Sequence, residues 1–143
     1  MNGYVLERTE DAWIHYLASS SLSASITLYY RGTEYVTKEG SAIIVYCPSA
    51  EEVERGCGIY RTQAQIMLKY LYTDSSSLST RNIVQTTFND TVLGNDNLLN
   101  DLTGSTNRIH FWDATFGGQS NSFAGDAIIT QLNIDMVVAQ KAT

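Results

Sequence analysis

Proline, cysteine and charge are all scarce in this chain, and each shortage excludes something. Two cysteines, Cys47 and Cys57, in 143 residues cannot build the disulfide framework of a small secreted domain. With His15 and His110 they form neither a C-x-x-C nor an H-x-x-x-H pattern, and a zinc centre needs three or four ligands at such spacings. No metal is expected. The G-x-S-x-G, P-loop and G-x-G-x-x-G fingerprints are missing, and "GCG" is too short to cradle a phosphate. Nothing local pairs Cys47 or Cys57 with a histidine and an orienting group. With no catalytic constellation even in outline, the chain is expected to be no enzyme and to need no cofactor.

Charged residues make up 17% of the chain and hydrophobic ones 43%, too little charge for disorder and enough apolar surface for one packed core. That length fits a single domain, residues 1–143. Basic residues number 9 against 15 acidic, a formal net charge of -6. They are scattered from Arg8 to Lys141, whereas a nucleic-acid grip needs clustered Lys and Arg. No apolar run approaches the length of about 20 residues that spans a bilayer. The start, "MNGYVLERTEDAW", lacks a basic then apolar plan. The expectation is a soluble, unexported chain without membrane contact, its thiols reduced.

What is present is periodicity. In "YVLERTEDAWIHYLASSSL" the residues Leu6, Thr9, Trp13, Tyr16 and Leu17 form one helical stripe, with Glu7, Arg8, Glu10 and Asp11 mostly off it. The serines that follow favour a connection. "SITLYYRG" reads as a strand, "RGTEYVTKEGS" as a loop or flap, and "AIIVYCP" as a strand buried on both faces and closed by Pro48. From Gly58 to Thr73, Tyr60, Thr62, Ala64, Ile66, Leu68, Tyr70 and Tyr72 alternate with Arg61, Gln63, Gln65 and Lys69, which predicts a long strand with one wet face. At about 3.3 Å per residue it must bend, bulge or project beyond the body.

"DSSSLSTRNIVQTTFNDTVLG" predicts a second helix and "DNLLNDLTG" one short helical turn stopped by Gly104. "RIHFWD" reads as a strand, "ATFGGQSNS" as a Gly-rich loop, and "AGDAIITQLNIDMVVA" as a last alternating strand. The fold class expected is α+β, a mostly antiparallel twisted sheet with two helices packed on one face and a polar face left open. Exposed edges of such a sheet invite a second chain.

Candidate site residues follow from this layout. Tyr35 with Val36, and Phe116, are loop apolar residues suited to anchoring a subunit or partner contact. Glu51, Glu52 and Glu54 form an acidic turn that normally faces water, and Asp126 with Asp135 is the other carboxylate pairing. Cys47, ending an apolar strand, is expected to be a buried, inert thiol. It and Cys57 bracket the turn between two adjacent strands.

The order of elements, with "LASSSL…ITLYYRG…AIIVYCPSAEEVERGCGIYRTQAQIMLKY…FAGDAIITQLNIDMVVA", resembles the tail-terminator and neck (head–tail joining) proteins of tailed bacteriophages across nearly the whole chain. The resemblance implies a tail-terminator-like subunit of a homo-oligomeric ring, commonly hexameric, in the virion neck or tail end and assembled in the host cytoplasm. Its partners would be connector or adaptor proteins and the tail tube, and DNA would pass without specific binding. Glu51, Glu52 and Glu54 would then be candidate channel-lining acids, since a negative wall lets DNA slide. The alternatives are a head-completion adaptor or tail-tube-like protein or, in a different class, a small cytoplasmic α+β enzyme or ligand-binding module.

Overall fold

The computed structural model describes residues 2–24, 26, 28–32, 41–53, 58–71, 78–105, 109–124 and 127–140. Helix α1 (Asn2–Ala18) ends in a serine-rich 3-10 turn, Ser21–Ala24, and leads to strand β1 (Leu28–Arg31). Strands β2 (Ala42–Glu52) and β3 (Ile59–Leu71) follow, then helices α2 (Leu78–Val92) and α3 (Leu98–Ser105), then strands β4 (Ile109–Ala124) and β5 (Ala127–Gln140). The five strands form one sheet in the order β1-β2-β3-β5-β4. Among the described residues β1 and β2 run parallel, and β2 with β3, β3 with β5 and β4 with β5 pair antiparallel. This is an α+β fold with a mostly antiparallel sheet.

Alternation decides which side of the sheet is dry. Tyr60, Thr62, Ala64, Ile66, Leu68 and Tyr70 of β3 are buried, as are Thr130, Leu132, Ile134, Met136 and Val138 of β5. On that face they meet Val5, Ala12, Trp13 and Leu17 of α1, Val84, Phe88 and Val92 of α2, and Leu98 and Leu102 of α3. All three helices thus share one core with one face of the sheet. The third is a correction to the two expected, because the short turn is an eight-residue helix that runs through Gly104. Leu98 and Leu102, one turn apart, bury its inner side, and that packing outweighs the weak helix propensity of glycine.

The long strand neither bulges nor projects. It pairs with β5 at every position from Ile59 to Leu71 and with β2 on its other side, so it is an inner strand. The irregularities fall on its neighbours. In β2 two residues, Cys47 and Pro48, stand opposite Ala64, between the pairs Tyr46↔Gln65 and Ser49↔Gln63. Pro48 therefore does not close the strand, which continues to Glu52. A proline has no N–H for the ladder, and a bulge is where an inner strand tolerates one.

The bulge turns the Cys47 N–H away from β3 and toward α1, where it donates to Glu10 Oε2 at 2.9 Å. Glu10 is only 2% exposed, although its place in the sequence pattern puts it on the polar side of the helix. The Tyr16 hydroxyl fastens the other end of α1. It donates to the carbonyl of Thr91 and accepts from Asn95 Nδ2 at 2.8 Å, and Asn95 also reaches Asp101 Oδ2 at 2.8 Å. The α2–α3 connection is thus tied to α1.

Two glycines answer to geometry. Gly58 holds φ +73° at the start of β3, a region costly for residues with a Cβ. Gly32 donates its N–H to Val45 O at 2.8 Å, and a Cβ there would lie 2.6 Å from Tyr46 Cβ. Gly32→Ala is expected to push β1 off β2 and to cost about 1–3 kcal/mol, as overpacking does. Urea unfolding of the variant checks this; an unchanged midpoint would mean that β1 yields freely.

Candidate functional site: the outer face of the sheet

Opposite the helices, the pairing sets the outer-face side chains in rows across the strands. Glu51, Arg61, Val137 and Asp113 form one row, and Ser49, Gln63, Asp135 and Thr115 the next. Tyr46, Gln65 and Asn133 follow, then Tyr30, Ile44, Met67 and Gln131. The face is polar in its middle and more apolar toward β1. There Ile44 is buried, so β2 is covered on both sides, as its unbroken apolar run implies.

The first two rows line a shallow groove of about 390 Å³. Three carboxylates, Glu51, Asp113 and Asp135, line it together with Arg61. Glu51 lies directly across from Arg61. Asp113 Oδ1 accepts the N–H of Ala114 at 2.9 Å. Among the described residues no group of three His, Cys, Asp or Glu is arranged to hold a metal ion. No described helix is long and apolar enough to cross a membrane.

Beside the groove, Trp112 is 51% exposed and meets His110 edge-on, ring centroids 6.2 Å apart at 80°. It owes its position to a bulge in β4, where Trp112 is the extra residue between the pairs Phe111↔Val138 and Asp113↔Val137. Phe111 is buried and its N–H donates to Thr103 Oγ1 of α3 at 2.9 Å. Two aromatics in succession break the alternation of "RIHFWDA". That is the sequence signal by which this exposed aromatic, absent from the candidates, was findable.

The candidates named from sequence are placed as follows. Tyr35, Val36 and Glu54 lie outside the described residues, as do Asp126 and Cys57. Glu51 and Glu52 are in β2 and not in a turn; Glu51 is exposed and Glu52 half-buried. Phe116 is not in a loop. The stretch read as Gly-rich loop is the middle of β4, and Phe116 is half-buried against the core. Gly117 and Gly118 form a second bulge, between Phe116↔Ile134 and Gln119↔Leu132. Glycines suit an edge strand where the chain must kink, and β4 is that edge.

Cys47 is free and buried. Burial, reinforced by the nearby charge of Glu10, pushes its thiol well above the ordinary value against a hydrogen bond from Thr62. It is a packing residue, because the thiolate is the reactive form. In a Cys57→Ser background, Cys47 should react with a thiol reagent only as fast as the protein opens. Rapid modification in native buffer would contradict this.

No family model matches this chain, and no curated protein matches it.

Proposed function

We propose that the protein is a structural ring subunit of a phage neck or tail end, which terminates the tail tube and joins it to the head connector. The observation that carries the reading is the one-sided build of the sheet. Helices cover one face, while the other face is exposed at Glu51, Arg61, Gln63, Asp113 and Asp135 and the outer edge of β4 carries no further strand among the described residues. A 16-residue edge strand with a half-exposed tryptophan is what a neighbouring copy covers in an assembly. Carboxylates outnumber cations in the outer-face groove, and the chain's net charge is -6, both suited to a wall past which DNA slides without adhering.

Light scattering with negative-stain imaging tests this. Six copies of 15.8 kDa make a ring of about 95 kDa with closed symmetry. A monomer at all concentrations, also when mixed with connector or tube proteins, would overturn the reading and leave the groove to a ligand-binding role. Trp112→Ser is expected to weaken assembly roughly tenfold or more, as loss of an aromatic anchor does, with the subunit still folded. Phe116→Ser is the poorer probe, since it also removes packing.

A further inference from the structure

Strand β5 pairs with β3 without a break, so Val138, Met136, Ile134, Leu132 and Thr130 are equivalent positions along it. Opposite them on β4 stand Phe111, Ala114, Phe116, Gln119 and Asn121. Equivalent positions of an antiparallel ladder point their N–H and C=O groups the same way. The Phe111 N–H goes to Thr103 Oγ1 at 2.9 Å and the Ala114 N–H to Asp113 Oδ1 at 2.9 Å, both away from β5. All five residues therefore turn their backbone groups to the outer edge of the sheet. Before the Gly117–Gly118 bulge, the α3 threonine and the Asp113 carboxylate close that edge. Beyond the bulge, no acceptor among the described residues meets the N–H of Gln119 or Asn121. Every residue from Gly117 to Ser122 is exposed.

We propose that residues 119–122 of β4 are the edge on which a second copy of this chain adds its own β4, antiparallel, about a two-fold axis at Ser120. Gln119 of each copy then faces Asn121 of the other, and the two exchange backbone hydrogen bonds. Charge favours a second copy as the occupant. The chain carries a net -6, so two copies repel in general. From Thr115 to Ala124 there is no charged residue and no proline, so here two copies meet with no like charges opposed and without the usual protection of an edge. The strand is also held ready for pairing. Gln119 Nε2 donates to Asn89 Oδ1 of α2 at 3.2 Å, and Asn121 Oδ1 lies 2.8 Å from the Thr130 hydroxyl. An edge already fixed in extended form loses little freedom when a partner arrives. The opposite edge strand, β1, has only four residues and offers a shorter ladder.

The pairing concerns two copies and goes beyond the ring reading, which needs six. Sedimentation equilibrium and a site-directed disulfide on the full chain test it. At the axis the two Ser120 residues form a non-hydrogen-bonded pair with Cα atoms about 4.5 Å apart, within reach of a disulfide. In a Cys57→Ser background, Ser120→Cys should form a crosslinked dimer in oxidised glutathione, whereas Ser122→Cys, off the axis, should not. Ser120→Lys, at an exposed outer-face position, should weaken self-association roughly tenfold by opposing like charges and leave the melting temperature unchanged. A parent that stays monomeric at about 1 mM would overturn the pairing. So would equal crosslinking at the two positions, or self-association that Ser120→Lys leaves as it was. A six-copy ring that forms unaltered in Ser120→Lys ends this proposal and leaves the ring reading standing. A parent that pairs through Ser120 yet never reaches six, also with connector or tube proteins present, does the reverse.

Discussion

Trp13→Ala should bring the protein to the verge of unfolding. Trp13 is fully buried at the centre of α1. Its indole N–H donates to Met136 Sδ at 3.3 Å, and its ring stands edge-on to Tyr16 at 6.3 Å. It is therefore the contact by which the first helix meets the last strand. Replacing a buried tryptophan by alanine costs about 3–5 kcal/mol through lost transfer energy and an unfilled cavity. Domains have only about 5–15 kcal/mol in all. Trp13→Phe keeps most of the volume and should cost clearly less. Urea titration followed by circular dichroism gives the comparison. Equal midpoints for the two variants would mean that the site collapses around alanine and that α1 is not anchored there.

Glu10 should give the second largest effect and the more diagnostic one. Glu10→Ala strands the Cys47 N–H at a bulge, away from any ladder partner, for a loss of about 1–3 kcal/mol. That is a drop of several degrees in melting temperature for a chain of this size, at roughly 2–4 °C per kcal/mol. Glu10→Gln keeps an acceptor and should lose less. The pH dependence separates charge from hydrogen bonding. Burial raises the Glu10 carboxyl above its ordinary 4.5, against the Cys47 N–H and the Arg31 charge, which lower it, while Asp11 and Glu7 raise it further. The native state therefore holds this proton to higher pH than the unfolded chain does.

The group's contribution is complete below 4.5 and is lost as pH rises through the raised native value. Wild type minus Glu10→Gln should accordingly fall in stability between about pH 4 and the upper end of that window, then level off. Arg31 is itself 3.7 Å from Asp11, so the charges facing Glu10 come from α1 and β1 alike. A flat difference across that range would mean that water reaches the carboxylate and that the bulge is held some other way.

The legible parts of this fold are those whose signal is local. The alternation from Tyr60 to Tyr70 and from Ile128 to Val138 tells which side chains are buried, because period two is a property of one strand and its pleat. The run Ala42–Val45 likewise told of a strand covered on both sides. The helical stripe at Leu6, Thr9, Trp13 and Leu17 needed only the 3.6-residue repeat. Glu10 was not legible. A carboxylate on the flank of a helix looks solvated until a bulge 37 residues on presents an orphan N–H to it. The candidate site was legible only in part: Glu51 and the alternating Arg61, Gln63 and Asp135 stood in the pattern, but their convergence with Asp113 needed strand order.

By itself, then, the sequence determined the fold class and the sidedness of β3 and β5, since composition and periodicity carry those directly. Tertiary structure alone decided that β3 is internal and β4 the edge, that Gly117–Gly118 is a bulge and not a loop, and that β1 runs parallel to β2. Those are matters of which strand lies beside which. Hydrogen bonds between distant segments settle them, and a backbone N–H or C=O carries no mark in the sequence of the partner it will find.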